Sequence, residues 1–209
     1  MDFERHIESL RRKLALGLLP GKDAQIKMVS DAFKNRYFEM QPNASTREGA
    51  VLILLYPQQN SLHIPLIIRP SNEKGVHSGQ VAFPGGKKEK EDPDYIHTAL
   101  REAEEEVNLD TSKVEVLGQI TPLFVFASNF MVYPTLAIMH EEPLLKPNPK
   151  EVAAIFSADL DTLRRPETIK KTTIQTPQYV FETPYFDIAG KVIWGATAMM
   201  LKELIELTE

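Results

Sequence analysis

The sequence predicts an α/β fold, a mixed β-sheet sandwiched between α-helices (α/β/α), with an N-terminal helical extension. Three observations carry this. Two apolar runs of strand length, 49–56 and 63–69, flank a short polar loop, as in a hairpin. A strongly amphipathic helix is expected over 93–108. Further strand-like segments at 114–120, 123–127, 131–139 and 152–156 lead to a closing helix over 196–207. Strands interleaved with helices argue for a mixed sheet covered by helices.

At the N-terminus, Phe3, Ile7, Leu10, Leu14 and Leu16 fall near one stripe between charged residues, which predicts a helix ended by Leu19-Pro20-Gly21. Residues 22–44 are polar, then aromatic at Phe33, Tyr37 and Phe38. They predict, with the first helix, an appendage over 1–44 packed on a main domain of 45–209. Gly49 to Tyr56 reads as a strand ended by Pro57, and His63 to Arg69 as its hairpin partner. Gln80 to Phe83 is a short strand before Pro84-Gly85-Gly86. In the helix that follows, Asp92 is placed to cap, Pro93 and Asp94 fall in the first turn, and Asn108 is the stop. Ile96, Ala99, Leu100, Ala103 and Val107 form its buried face. Phe83 and Trp194 are expected in the core.

Composition narrows the function. The 209 residues contain no cysteine, which excludes disulfide frameworks, thiolate zinc sites and cysteine nucleophiles. The net charge of −5 argues against a general nucleic-acid binder. Charged residues interrupt the N-terminus and no apolar run reaches membrane-spanning length, so the expected location is the cytoplasm.

The chemical signal is Arg101-Glu102-Ala103-Glu104-Glu105-Glu106. On a helix, Glu102, Glu105 and Glu106 are expected to project from one side, with Glu104 pointing elsewhere. Like charges at these spacings repel, and the C-terminal half of a helix disfavours anions. A hard divalent cation relieves both penalties, and carboxylate oxygen is what magnesium or manganese prefers. A solvated acidic face on a structural helix is the alternative. Gly85-Gly86, fifteen residues before Arg101, predicts a sharp bend allowing close backbone approach.

Together these residues resemble the box of the Nudix hydrolases, G-x5-E-x7-R-E-U-x-E-E-x-G-U. The Gly86-to-Arg101 interval is one residue longer than the box, leaving Pro93 where the box has Glu, and Asn108 replaces a glycine. The sequence from His77 to Gly86 is similar to the upstream signature of the coenzyme A pyrophosphatase branch. Trp194-Gly195-Ala196-Thr197-Ala198 is similar to that branch's closing helix. The Arg69-to-His77 interval is one residue longer than in that signature. Its second Arg is missing, and Lys74 stands as a replacement charge.

The resemblance implies a Nudix fold and a hydrolase acting on phosphorus-containing acid anhydrides. It implies Mg²⁺ or Mn²⁺ held by Glu102, Glu105 and Glu106, a small nucleotide pyrophosphate as substrate, and homodimers as a common assembly. Glu105, Glu151 and Arg101 form the catalytic set. Glu151 is the expected general base, and Arg101 is expected to anchor the helix on a nearby acid. Arg69, Lys74, His77, Gly85 and Gly86 form the expected substrate-binding set. Coenzyme A is the expected substrate, giving 3′,5′-ADP and 4′-phosphopantetheine. ADP-ribose or another nucleoside diphosphate derivative is the alternative, and a non-catalytic nucleotide-binding module is a third reading.

Overall fold

The computed structural model describes residues 3–71, 79–176 and 179–209. The strands are β1 (Arg47–Gln58), β2 (Ser61–Ile68), β3 (Val81–Ala82), β4 (Gly85–Lys87), β5 (Glu115–Gln119), β6 (Leu123–Val125), β7 (Phe130–Ile138), β8 (Ala154–Asp159), β9 (Ile169–Gln175), β10 (Val180–Ile188) and β11 (Lys191–Ile193). The helices are α1 (Phe3–Ala15), α2 (Gly21–Gln25), α3 (Lys34–Glu39), α4 (Tyr95–Val107), α5 (Leu160–Leu163) and α6 (Gly195–Leu207). β3-β2-β1-β7-β5 form the spine of an eight-stranded sheet, with β4 on β1, β6 on β7 and β8 on β2. β1 and β7 are parallel, while β1 pairs antiparallel with β2 and β4. The sheet is therefore mixed, as expected.

Alternation along β1 explains the three layers. Ala50, Leu52, Leu54 and Tyr56 face α4, packing with Ala99, Ala103 and Val107. Ile53 and Leu55 face the other way, toward Ile7 and Leu10 of α1 and Leu201 and Leu204 of α6. Met28 and Val29 join that second cluster, so the N-terminal segment shares the core of the sheet. A buried polar knot holds it there: Tyr37 Oη donates to Gln25 Oε1 (2.6 Å), and Gln25 Nε2 donates to Glu203 Oε2 (2.7 Å). The Thr121 N–H donates to the other Glu203 oxygen (3.1 Å).

Several details depart from the sequence reading. β1 continues through Pro57 to Gln58, because the turn is only Gln59-Asn60, both at positive φ as a tight hairpin requires. Leu16 lies past the end of α1 and is 61% exposed. Asp94, not Asp92, caps α4, accepting the His97 N–H at 2.8 Å, and Pro93 lies outside the helix. Asn108 ends α4 in the left-handed conformation, as expected. Gly85-Gly86 is not a bend but part of β4, paired with Gly49–Val51. Phe83 is buried, whereas Trp194 is half-buried beside Phe181. The three-stranded sheet β11-β10-β9 has no counterpart in the sequence reading. Among the described residues, no helix is long and apolar enough to cross a membrane.

Candidate active site

The site is built where α4 crosses β4. The Gly85 N–H donates to Glu106 Oε2 at 2.8 Å. At the next residue, a Cβ on Gly86 would lie 2.5–2.6 Å from the carboxylate of Glu102. Two carboxylates thus abut successive glycines of one strand, an approach only glycine permits. β4 sits as tightly against β1: a Cβ on Gly49 would lie 2.0 Å from the carbonyl oxygen of Gly86. Gly49 therefore belongs to the site's scaffold, a role its position at the start of an apolar run does not signal.

The three box carboxylates do not share one environment. Glu106 is 3% exposed, while the Glu105 side chain is 51% exposed and accepts from Arg101 Nη1 at 3.2 Å. Positions 105 and 106 are separated by about 100° around a helix, and β4 covers only the side carrying 102 and 106. The expected single carboxylate face is split for this reason. Burial pushes the Glu106 carboxyl up to about 7, opposed by the Gly85 N–H and Arg69, and reinforced by Glu102 and Glu151. Burial also raises Glu102, opposed by Arg101 and reinforced by Glu105 and Glu151.

Arg101 is fixed by Asp92, the nearby acid that the sequence reading left unassigned. Its Nε and Nη2 donate to the two Asp92 oxygens, each at 3.0 Å, and Nη2 also reaches Glu102 and the Lys87 carbonyl. Asp92 accepts further from Thr98 Oγ1 and the Glu89 N–H, both at 3.0 Å. Counting forward from Gly86, Asp92 stands where the box has Glu. The extra residue therefore follows the acid, and the acid–arginine pair is kept.

Glu151 arrives from a different segment. The Asn148 N–H donates to the Glu106 carbonyl (2.8 Å) and the Lys146 N–H to the Val107 carbonyl (2.9 Å). These bonds satisfy carbonyls at the end of α4 that the helix itself leaves open. They also dock the loop carrying Glu151 near Glu102 and Glu106. Arg69, just past β2, lies close enough to act on Glu106. Lys74 and His77 lie outside the described residues.

Among the described residues, no three acidic or histidine side chains already form a metal cage. The donor set still fits a hard dication. Magnesium is characteristically held by one or two carboxylates, several waters and the substrate's phosphates, not by an all-protein cage. A buried carboxylate pressed by two others gains most from such a charge.

Residues 46–176 match the model of the NUDIX domain. The chain belongs to the Nudix family. It is 34% identical over 179 residues to a Nudix hydrolase NudL from Yersinia enterocolitica, covering 83% of this chain and 90% of that one. It is 33% identical over 168 residues to Nudix hydrolase 15, mitochondrial, from Arabidopsis thaliana, covering 78% of this chain and 59% of that longer protein. Its fold is similar to that of the Nudix hydrolase RenU from M. smegmatis, with a TM-score of 0.54 at 16% identity, covering 78% and 85% of the two chains. Membership places it among hydrolases of pyrophosphate bonds, a class that generally needs divalent cations.

In a Gly86→Ala Nudix site the new methyl meets only the tip of a flexible side chain, so Glu102 moves and the fold survives. The expected result is a change in stability under about 2 kcal/mol with a rise of about tenfold in the metal concentration for half-activation. Unchanged metal activation would show that the Glu102 position is irrelevant.

Proposed function

We propose that this Nudix hydrolase cleaves the pyrophosphate of coenzyme A or its derivatives in the cytoplasm, giving 3′,5′-ADP and 4′-phosphopantetheine. The observation that carries the reaction is the approach of Glu102 and Glu106 to the successive glycines of β4. When bound there, Mg²⁺ or Mn²⁺ supplies Lewis-acid polarisation of the phosphates and lowers the pKa of a water.

The chain's own residues do the rest. Glu102, Glu105 and Glu106 would hold the cation. Glu151 takes up the proton of the attacking water. Arg101, locked on Asp92, keeps α4 in register with β4, so the carboxylates are positioned before substrate arrives. Arg69, with Lys74 and His77, offers cationic and hydrogen-bonding groups to the substrate's phosphates. The Gly85 N–H fixes one Glu106 oxygen and thereby the direction of the other.

The coenzyme A assignment is supported by the His77-to-Gly86 sequence and by Trp194 to Ala198. The longer Arg69-to-His77 interval favours a second reading, ADP-ribose or another nucleoside diphosphate derivative. Side-by-side turnover with magnesium separates them. The expected kcat/KM is at least about tenfold higher for coenzyme A, a difference of about 1.4 kcal/mol in transition-state binding. The reverse order assigns the enzyme to the second substrate class.

A further inference from the structure

We propose that the open edge of β9 is the seam of a homodimer, in which β9 of a second copy pairs antiparallel to it with Thr172 of each copy on the two-fold axis. The seam joins two three-stranded sheets into one of six strands. It lies outside the carboxylate site and does not depend on the substrate proposed above.

β9 ends its sheet. The strand order is β11-β10-β9, and among the described residues no strand lies on its outer side. All seven residues from Ile169 to Gln175 stay in register with β10, without proline, glycine or bulge. Such an edge is a template for another strand, and proteins commonly blunt one with a bulge, a proline or charged side chains. The two lysines of β9 are compensated by their own chain. Lys170 Nζ lies 2.7 Å from Asp187, and Lys171 Nζ lies 3.2 Å from Glu182 and 4.0 Å from Asp31.

The phase of the backbone is set at the hairpin, where the Thr176 N–H donates to the Tyr179 carbonyl at 2.8 Å. Alternation back along the strand turns the backbone groups of Ile174, Thr172 and Lys170 toward β10. Those of Gln175, Thr173 and Lys171 are turned toward the open edge. In keeping with this, the carbonyl of Glu182, opposite Thr173, is bonded by Ser30 Oγ at 2.6 Å.

A two-fold antiparallel pair sets residues of the same phase opposite each other, so one residue must face itself on the axis. Centring on Thr172 pairs the full length of both strands. Lys171 then exchanges backbone hydrogen bonds with Thr173 of the second copy, and Thr173 does so with Lys171 of the second copy. The two Thr172 residues meet as a non-hydrogen-bonded pair, the closer kind, with Cα atoms about 4.5 Å apart and a favourable threonine–threonine contact. Centring on Lys171 instead would oppose two ammonium groups.

Charge and apolar surface also match across this seam. In the row through Thr173, Glu182 lies on one side and Lys171 of the second copy on the other. The two Lys171–Glu182 pairs thus become one alternating set of four charges. In the row through Gln175, exposed Val180 lies on one side and exposed Ile169 of the second copy on the other.

Sedimentation velocity of the full chain over a concentration series tests the seam, and a dimer is expected. Thr173→Pro removes an N–H that points away from β10, so the sheet is kept while the seam loses a donor from each copy. The dimer dissociation constant is expected to rise at least about tenfold. The chain has no cysteine, so Thr172→Cys and Lys170→Cys each carry a single thiol. Mild oxidation is expected to link Thr172→Cys into a disulfide dimer. Lys170→Cys is expected to stay unlinked, because the two 170 positions lie about 14 Å apart in this register. Should Thr173→Pro not fold, the two cysteine variants decide alone. A monomer at concentrations up to about 100 µM overturns the proposal and leaves the edge to an extended segment of another protein. It is also overturned by a dimer that folded Thr173→Pro leaves intact, or by linkage as efficient at 170 as at 172.

Discussion

Glu106→Gln is expected to lower kcat by about 10²–10³-fold while leaving the protein folded. Gln keeps an oxygen to accept the Gly85 N–H, and it occupies nearly the same volume, so the α4–β4 contact persists. What disappears is a buried negative charge beside Glu102 and Glu151. The folded protein gains by losing that repulsion. The reaction loses a cation ligand, and with it about 3–4 kcal/mol of transition-state charge stabilisation. Single-turnover rates against magnesium concentration check this. Glu104→Gln, exposed on the same helix, is the control and retains activity. A Glu106→Gln rate within about threefold of the parent would remove Glu106 from the metal site.

The second large effect is on stability. Asp92 is 7% exposed and receives four hydrogen bonds, two of them from Arg101. Breaking a buried ion pair costs about 3–5 kcal/mol. The lower end applies to Asp92→Ala, because Arg101 retains Glu102, Glu105 and the Lys87 carbonyl. Urea unfolding at pH 7 measures the loss. Its pH dependence has a defined sign. Arg101, first among the causes, holds the Asp92 carboxyl well below the usual carboxylate range. A depressed folded pKa stabilises above the unfolded value, near pH 4, and that stability is lost as pH falls through the folded value. The gap between parent and Asp92→Ala therefore narrows as pH drops below about 4. A constant gap from pH 7 to pH 3 would mean that the cost is one of packing, not of charge.

Much of the scaffold was legible because its signals are local. The 3.6-residue repeat of Ala99, Ala103 and Val107 defined α4, and Asn108 ended it where a left-handed residue was needed. The apolar run of β1 and the polar turn after it gave the hairpin. β9 was not legible, since Ile169-Lys170-Lys171-Thr172-Thr173-Ile174-Gln175 is an exposed edge strand with no buried face to impose alternation. Helical spacing gave the angles among Glu102, Glu105 and Glu106 but not the side on which β4 lies, so the three were expected to share one face, whereas Glu106 is buried and Glu105 is not. Asp92 was legible as an acid near the helix start, but its pairing with Arg101 depends on how the loop after β4 folds back. Gly49 carried no signal at all, because its constraint comes from a strand 36 positions later in sequence.

Glu102 and Glu106, with Glu151 beside them, are proposed to hold divalent cations against the two glycines of β4. Crystals grown or soaked in manganese test it most directly. Anomalous density is expected within coordination distance of Glu102 and Glu106. Manganese bound elsewhere on the molecule, with none between these carboxylates, would contradict it.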